Sequence, residues 1–230
     1  MKAKLSPPIF DSAFSHVSVE WSPEDLALLE ARAGDIPVPE QFTRAVPKRK
    51  AEFLAGRICA GEALSAVGCR HPVGVPAPGS RAPVWPRGYI GSITHTRGFA
   101  SAVVARCEQA QGLGLDSECV MGVETCDRIQ SLILSESERQ RLARPEPDDP
   151  DRETMATLLF SVKESTYKCL HPIVEVPLRF QSVELETLDC QGGLIRMRFV
   201  EDVAGFHAGD LISGRWAIDT PFVHTGVVLY

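Results

Sequence analysis

Asp116 and Glu118 stand one residue apart in Gly112-Leu113-Gly114-Leu115-Asp116-Ser117-Glu118, and a third carboxylate, Glu164, follows in Phe160-Ser161-Val162-Lys163-Glu164-Ser165-Thr166-Tyr167-Lys168. Alternate residues of a strand share a face, so Asp116 and Glu118 project together, and Glu164 on a later helix would complete a three-oxygen cation site. Mg²⁺ suits such a site, because it is small and hard, keeps several waters and is usually shared with a substrate phosphate. Phosphate-binding groups accompany it: Arg49 and Arg57 in a helical stretch, Arg81 in a turn, and Gly91-Ser92-Ile93-Thr94-His95. Each piece also has an ordinary reading. Asp-x-Glu is common on solvated strands, and a lone histidine beside a strand is often structural. Glu164 and Lys168 have the i, i+4 spacing of a helix ion pair worth about 0.3–0.5 kcal/mol.

The elements that must position these groups can be read from periodicity. Pro47 opens a helix through about Val67, with Arg49, Phe53 and Arg57 on one face; about 12 Å of helix rise separates the two arginines, close enough to serve one dianion or two neighbouring ones. Residues 71–86 are a Pro/Gly-rich connection, and 89–105 read as a hairpin broken near Thr96-Arg97-Gly98. The strand 112–118 places Gly114 on the side of Asp116 and Glu118, where a missing side chain admits a ligand or another backbone. A helical pattern over 130–141 precedes an acidic loop, and a long helix runs from about 152 to 170 before Pro172 stops it. Strands follow at 184–185, 194–200, 215–218 and 225–229. The first 45 residues give a strand at 15–19 and a short helix after Ser22, with Pro23 at its first position.

Composition limits the function classes. At 230 residues, 44% apolar and 23% charged, the chain is long enough for one large or two small cores. A net charge of −6 argues against non-specific nucleic-acid binding, although Arg44, Lys48, Arg49, Lys50 and Arg57 form a local cationic segment. No run approaches the roughly 18 to 20 apolar residues of a membrane span, and the N-terminus lacks a signal-peptide core, so a cytoplasmic protein is expected. Seven cysteines, without a CxxC pair or a zinc-spaced cluster, favour reduced thiols.

Taken in this order, Arg49 to Arg57, Arg81-Ala82-Pro83-Val84-Trp85-Pro86, Gly91 to His95, Gly112 to Glu118 and Phe160 to Lys168 resemble the 4′-phosphopantetheinyl transferases, specifically the longer single-chain kind typified by surfactin-type transferases and enterobactin synthetase component D. The resemblance covers residues 46–172. It implies an α+β fold of two similar halves, 1–111 and 112–230, in a pseudo-two-fold arrangement, each a small antiparallel sheet packed with a long helix. It also implies coenzyme A between the halves, with the 3′-phosphate on Arg49, Arg57 and Arg81 and the pyrophosphate on His95, the Ser92 and Thr94 positions lining the same ligand. Mg²⁺ would lie on Asp116, Glu118 and Glu164. Lys163 and Lys168 match two lysines of the family helix, and Lys168 is the better candidate to neutralise charge on the leaving 3′,5′-ADP.

The reaction so implied is attack by a carrier-protein serine on the β-phosphorus of coenzyme A, which needs positioning and charge stabilisation rather than an enzyme nucleophile. Glu164, or a metal-bound hydroxide, would take the serine proton. The partner would be an apo acyl, peptidyl or aryl carrier protein, for siderophore, nonribosomal peptide or polyketide synthesis. Arg128, Ile129, Leu132, Ile133 and Arg139, within 125–142, are the expected docking stretch, and an internal duplication favours a monomer. Two alternatives stay open at this point: a Mg²⁺-dependent phosphohydrolase of coenzyme A or a nucleotide, and a non-catalytic coenzyme A-binding module.

Overall fold

A computed structural model describes residues 1–34, 36, 38–39, 42, 45–74, 82–174, 178–203 and 205–230. Its contacts divide the chain into two units, one of residues 1–6, 10–113 and 230, the other of residues 7–9 and 114–229. Arg44 and Arg81 lie outside the described residues.

In the first unit, strands β1 (Lys2–Lys4), β2 (Ser15–Glu20), β3 (Tyr89–Thr96) and β4 (Phe99–Arg106) form an antiparallel sheet in the order β1-β2-β4-β3. The β3–β4 hairpin turns at Arg97-Gly98, where Gly98 has φ 75°, a conformation that suits a residue without Cβ. Ser22 begins the next helical stretch, its N–H donating to the Asp25 carboxylate at 2.8 Å, and α1 (Leu26–Ala33) follows a single 3₁₀ turn. Helix α2 (Pro47–Ala66) packs on β2, β3 and β4. Its buried face is rich in small residues, Ala51, Ala55, Gly56, Ala60 and Ala63, which lets the helix lie low on the sheet; a methyl on Gly56 would stand 2.8 Å from Ile93 Cγ2. Leu54, Ile58 and Leu64 close the core against Val19 and Val104.

In the second sheet, β5 (Gly112–Cys119), β6 (Val183–Asp189), β7 (Leu194–Phe199), β8 (Leu211–Asp219) and β9 (Phe222–Leu229) run in the order β5-β9-β8-β7-β6. Helix α5 (Arg152–Val174) lies across β9, burying Leu158, Leu159 and Val162 with Ile195, Met197, Phe199 and Val223. Asp151 caps it, accepting from Thr154 N at 2.9 Å and Thr154 Oγ1 at 2.8 Å.

The α+β expectation is borne out, with a small antiparallel sheet and a long helix in each unit. Two local expectations are corrected. The helical pattern over 130–141 is two helices, α3 (Val123–Ile133) and α4 (Glu136–Ala143), because Leu134 and Ser135 are extended and Ser135 caps the second. Pro172 does not stop α5, which continues to Val174; so near the C-terminus a proline removes only one backbone hydrogen bond. Among the described residues no two cysteines are joined by a disulfide, and burial pushes Cys59 and Cys169 up to about 12. Among the described residues no helix is long and apolar enough to cross a membrane.

Candidate active site

Gly114 decides how the second unit brings its charged groups together. A methyl there would collide with the Ser165 carbonyl and come within 3.0 Å of Cys169 Cβ, so the strand and helix α5 touch backbone to backbone at this point. Of the two partners the sequence left open for Gly114, a ligand or another backbone, the structure supplies the backbone. A polar seam fixes the helix in the same place: Thr225 Oγ1 on β9 is shared by Ser161 Oγ at 2.8 Å and Ser165 Oγ at 2.6 Å, one turn apart. The opposite face of β5 is held by Ser117 Oγ, 2.8 Å from His224 Nδ1.

That contact sets Lys168 beside Asp116. Lys168 Nζ lies 2.6 Å from Asp116 Oδ1 and donates to Leu115 O at 3.2 Å. Asp116 is 3% exposed, whereas Glu118, two residues on, and Glu164, one turn before Lys168, are half-buried. Burial raises the Glu164 carboxyl above the ordinary glutamate range, the Asp116 charge adds to that rise, and Lys168 opposes it. Among the described residues no group of three or more His, Cys, Asp and Glu side chains stands close enough to cage an ion unaided. Asp116, Glu118 and Glu164 nonetheless offer hard carboxylate oxygens, and Asp116 already holds a cation, the Lys168 ammonium. They fit an ion such as Mg²⁺ that takes one or a few carboxylates and completes its shell with water and substrate phosphate.

Lys163 has a different setting. It is 1% exposed, and its ammonium donates to Phe180 O at 2.9 Å and Val183 O at 2.7 Å while pairing with Glu138 Oε2 at 2.9 Å. Three N–H bonds and three protein acceptors leave none for a ligand. Glu138 carried no signal in the strand and phosphate motifs, but Ser135-x-x-Glu138 is a capping-box pattern that could have marked it.

In the first unit, Arg49 is exposed, with its guanidinium 5.7 Å from the Phe42 ring, which stacks on Phe53 at 4.2 Å. Arg57, 5.2 Å from the other aromatic of that stack, is only 6% exposed and donates to Gly74 O at 2.9 Å. Burial lowers it to about 10. Gly74 bridges to Val84 on the far side of segment 75–81, the segment that contains Arg81. On β3, Ser92 and Thr94 are buried on one face, whereas His95 is exposed and points the other way.

A model of the 4′-phosphopantetheinyl transferase N-terminal domain matches residues 38–105, and one of the 4′-phosphopantetheinyl transferase superfamily matches residues 112–219. Among curated relatives, 4′-phosphopantetheinyl transferase Svp of Streptomyces mobaraensis is 38% identical over 217 residues, 91% of this chain and 86% of that protein. 4′-Phosphopantetheinyl transferase PptT of Mycobacterium tuberculosis is 33% identical over 220 residues, 90% and 93% of the two chains. Enterobactin synthase component D of Salmonella typhi is 39% identical over 155 residues, 67% of this chain and 62% of that one. Matched along both units and over most of the length of two such enzymes, the chain belongs to the 4′-phosphopantetheinyl transferase superfamily.

Proposed function

We propose a division of labour among these residues for the family reaction, in which the 4′-phosphopantetheine of coenzyme A passes to a serine of an apo carrier protein and 3′,5′-ADP leaves. The observation that supports it is the Lys168 ammonium seated 2.6 Å from buried Asp116, with Glu164 one helical turn away. Asp116, Glu118 and Glu164 would hold Mg²⁺, which when bound supplies charge neutralisation and Lewis-acid polarisation at the pyrophosphate. Glu164 accepts the serine proton, directly or through a bound water. As the serine oxygen bonds to the β-phosphorus, the bond to the α-phosphate oxygen breaks, and Lys168 turns its charge from Asp116 toward the departing group.

Arg49 and Arg81 take the 3′-phosphate, since guanidinium forks match phosphate oxygens. His95 meets the pyrophosphate, with Ser92 and Thr94 shaping the strand beneath it. Arg57, buried against Phe53 and tied to Gly74, acts by holding the bridge between Gly74 and Val84. The acidic carrier docks on α3, where Arg128 is exposed beside Leu132, one turn on and 68% exposed. Ile133 is buried in the core, and Arg139 donates to Leu134 O and pairs with Glu136, so neither is assigned to docking. The relatives named for enterobactin synthesis support a carrier from siderophore or related assembly. We place the enzyme in the cytoplasm as a monomer; its thiols suit a reducing compartment.

Intact mass tests the whole reading. Incubation with coenzyme A, Mg²⁺ and apo carriers should add one phosphopantetheine to the carrier; release of phosphopantetheine without a carrier would favour the hydrolase, and binding without turnover the binding-only module. Asp116→Ala should lower turnover about 100- to 1,000-fold. Arg128→Glu should weaken carrier binding while leaving coenzyme A affinity unchanged, and unchanged carrier affinity would remove α3 from the docking surface.

A further inference from the structure

The buried pair of Glu138 and Lys163 is used by no step above, yet it abuts the residue that takes the proton. Glu138 is 2% exposed; its Oε1 accepts from Leu185 N at 2.9 Å and its Oε2 from Ser135 N at 2.8 Å, besides pairing with Lys163. Lys163 completes its shell on the Phe180 and Val183 carbonyls. One ammonium thus joins four pieces of backbone: α5, the N-terminus of α4, the turn at Phe180–Ser182 and the start of β6. Lys163, Phe180 and Val183 also line a cleft of about 150 Å³ whose other walls include Glu164 and Tyr167.

Neighbouring helix residues diverge by about 100° around the axis. Pinning Lys163 on one side therefore fixes the rotation of α5 and, with it, the direction in which Glu164 leaves the helix. The Thr225 seam holds the helix against the sheet, and the Lys163 clasp holds it against the cleft wall. We propose that Glu138 and Lys163 are a positioning pair, which aims Glu164 and keeps the cleft wall in register with it, and that neither touches coenzyme A. The inference rests on the assignment of Glu164 above.

The two possible roles of Lys163 give opposite signatures. A lysine that binds phosphate would lose coenzyme A affinity on replacement by Met, while replacing Glu138, which competes for the ammonium, would leave that affinity intact or raise it. A positioning pair makes the two replacements alike. Glu138→Gln and Lys163→Met should each lower kcat about 10- to 100-fold, the scale of a 1 Å misplacement, with the KM and Kd for coenzyme A within about threefold of wild type. Glu138→Gln/Lys163→Met should be no worse than the poorer single variant, because both changes break one unit.

Breaking half of a buried ion pair destabilises strongly, whereas removing both charges is often tolerated. If a single variant does not fold, the double variant carries the test, by the same split between kcat and coenzyme A affinity, measured below its melting transition. Loss of coenzyme A affinity in Lys163→Met but not in Glu138→Gln, or in the double variant alone, would overturn the proposal. So would unchanged kcat in the folded variants. Glu164→Gln, assayed alongside, separates the levels: if it keeps full turnover, the assignment of Glu164 fails, and if it is inactive while the pair variants turn over normally, only the pair fails.

Discussion

Arg49 and Arg57 look equivalent in the sequence, eight residues apart on one helix face, and the structure makes them different. Arg49 is exposed over Phe42; Arg57 is covered, stacked on Phe53 and committed to Gly74 O. Arg49→Ala should therefore weaken coenzyme A about 10- to 100-fold and 3′-dephospho-coenzyme A little, because a charge-assisted bond to phosphate contributes about 1.5–3 kcal/mol and the dephosphorylated ligand offers nothing to grip. Arg57→Ala should instead cost about 1–3 kcal/mol of stability through its lost buried hydrogen bond, and weaken both ligands alike. Titration calorimetry with the two ligands, beside denaturant melts, reads both effects; a preference for coenzyme A over dephospho-coenzyme A that shrinks equally in the two variants would contradict the division. The residue types were legible from the sequence, but periodicity gives a direction and not a depth. The same limit applied to Lys163 and Lys168: both were readable as family lysines, and only packing shows one sealed onto Glu138 and the other on Asp116.

At the scale of elements, the site depends on how low α5 sits on β5, and that is set by a glycine. Gly114→Ala puts a methyl against the Ser165 backbone, which cannot rotate away as a side chain would, so a loss of about 3 kcal/mol is expected, at the upper end for overpacking. Turnover should fall with it even where the protein is folded, since lifting the helix separates Glu164 and Lys168 from Asp116. Gly61→Ala is the matched control: on α2 a methyl there meets nothing within 4 Å, and the substitution should stabilise by about 0.4–1 kcal/mol. Thermal melts of the two variants should move in opposite directions; a Gly114→Ala protein as stable as wild type would mean that the close approach at Gly114 does not set how low the helix sits. Strands and long helices were readable because alternation and capping residues mark them. The break between α3 and α4 is marked only by the Ser135-x-x-Glu138 capping box, since Leu134-Ser135 interrupts an amphipathic pattern without Gly or Pro.

For the whole molecule, the sequence order of strands and long helices anticipated an α+β chain with a sheet-and-helix unit at each end, and the motifs anticipated the family. They did not anticipate that the structure seats an ammonium on Asp116. Lys168 satisfies the charge of this buried carboxylate, so the fold does not need a divalent ion for electrical balance, unlike small domains whose metal is their core. Chelation should therefore abolish turnover while leaving the far-ultraviolet circular dichroism unchanged. Mg²⁺ should stabilise only by mass action: at ten times its Kd the gain is about 1.4 kcal/mol, a rise in Tm of about 3–6 °C for a chain of this size. In Lys168→Met the buried carboxylate loses its ammonium partner, so the chelated protein should melt lower and the Mg²⁺-induced rise should be larger than in wild type. Calorimetric scans of both proteins in chelator and in Mg²⁺ check this. Equal rises in the two would mean that Lys168 and the metal do not share Asp116, and unfolding of the wild type by chelator would mean that the ion is structural.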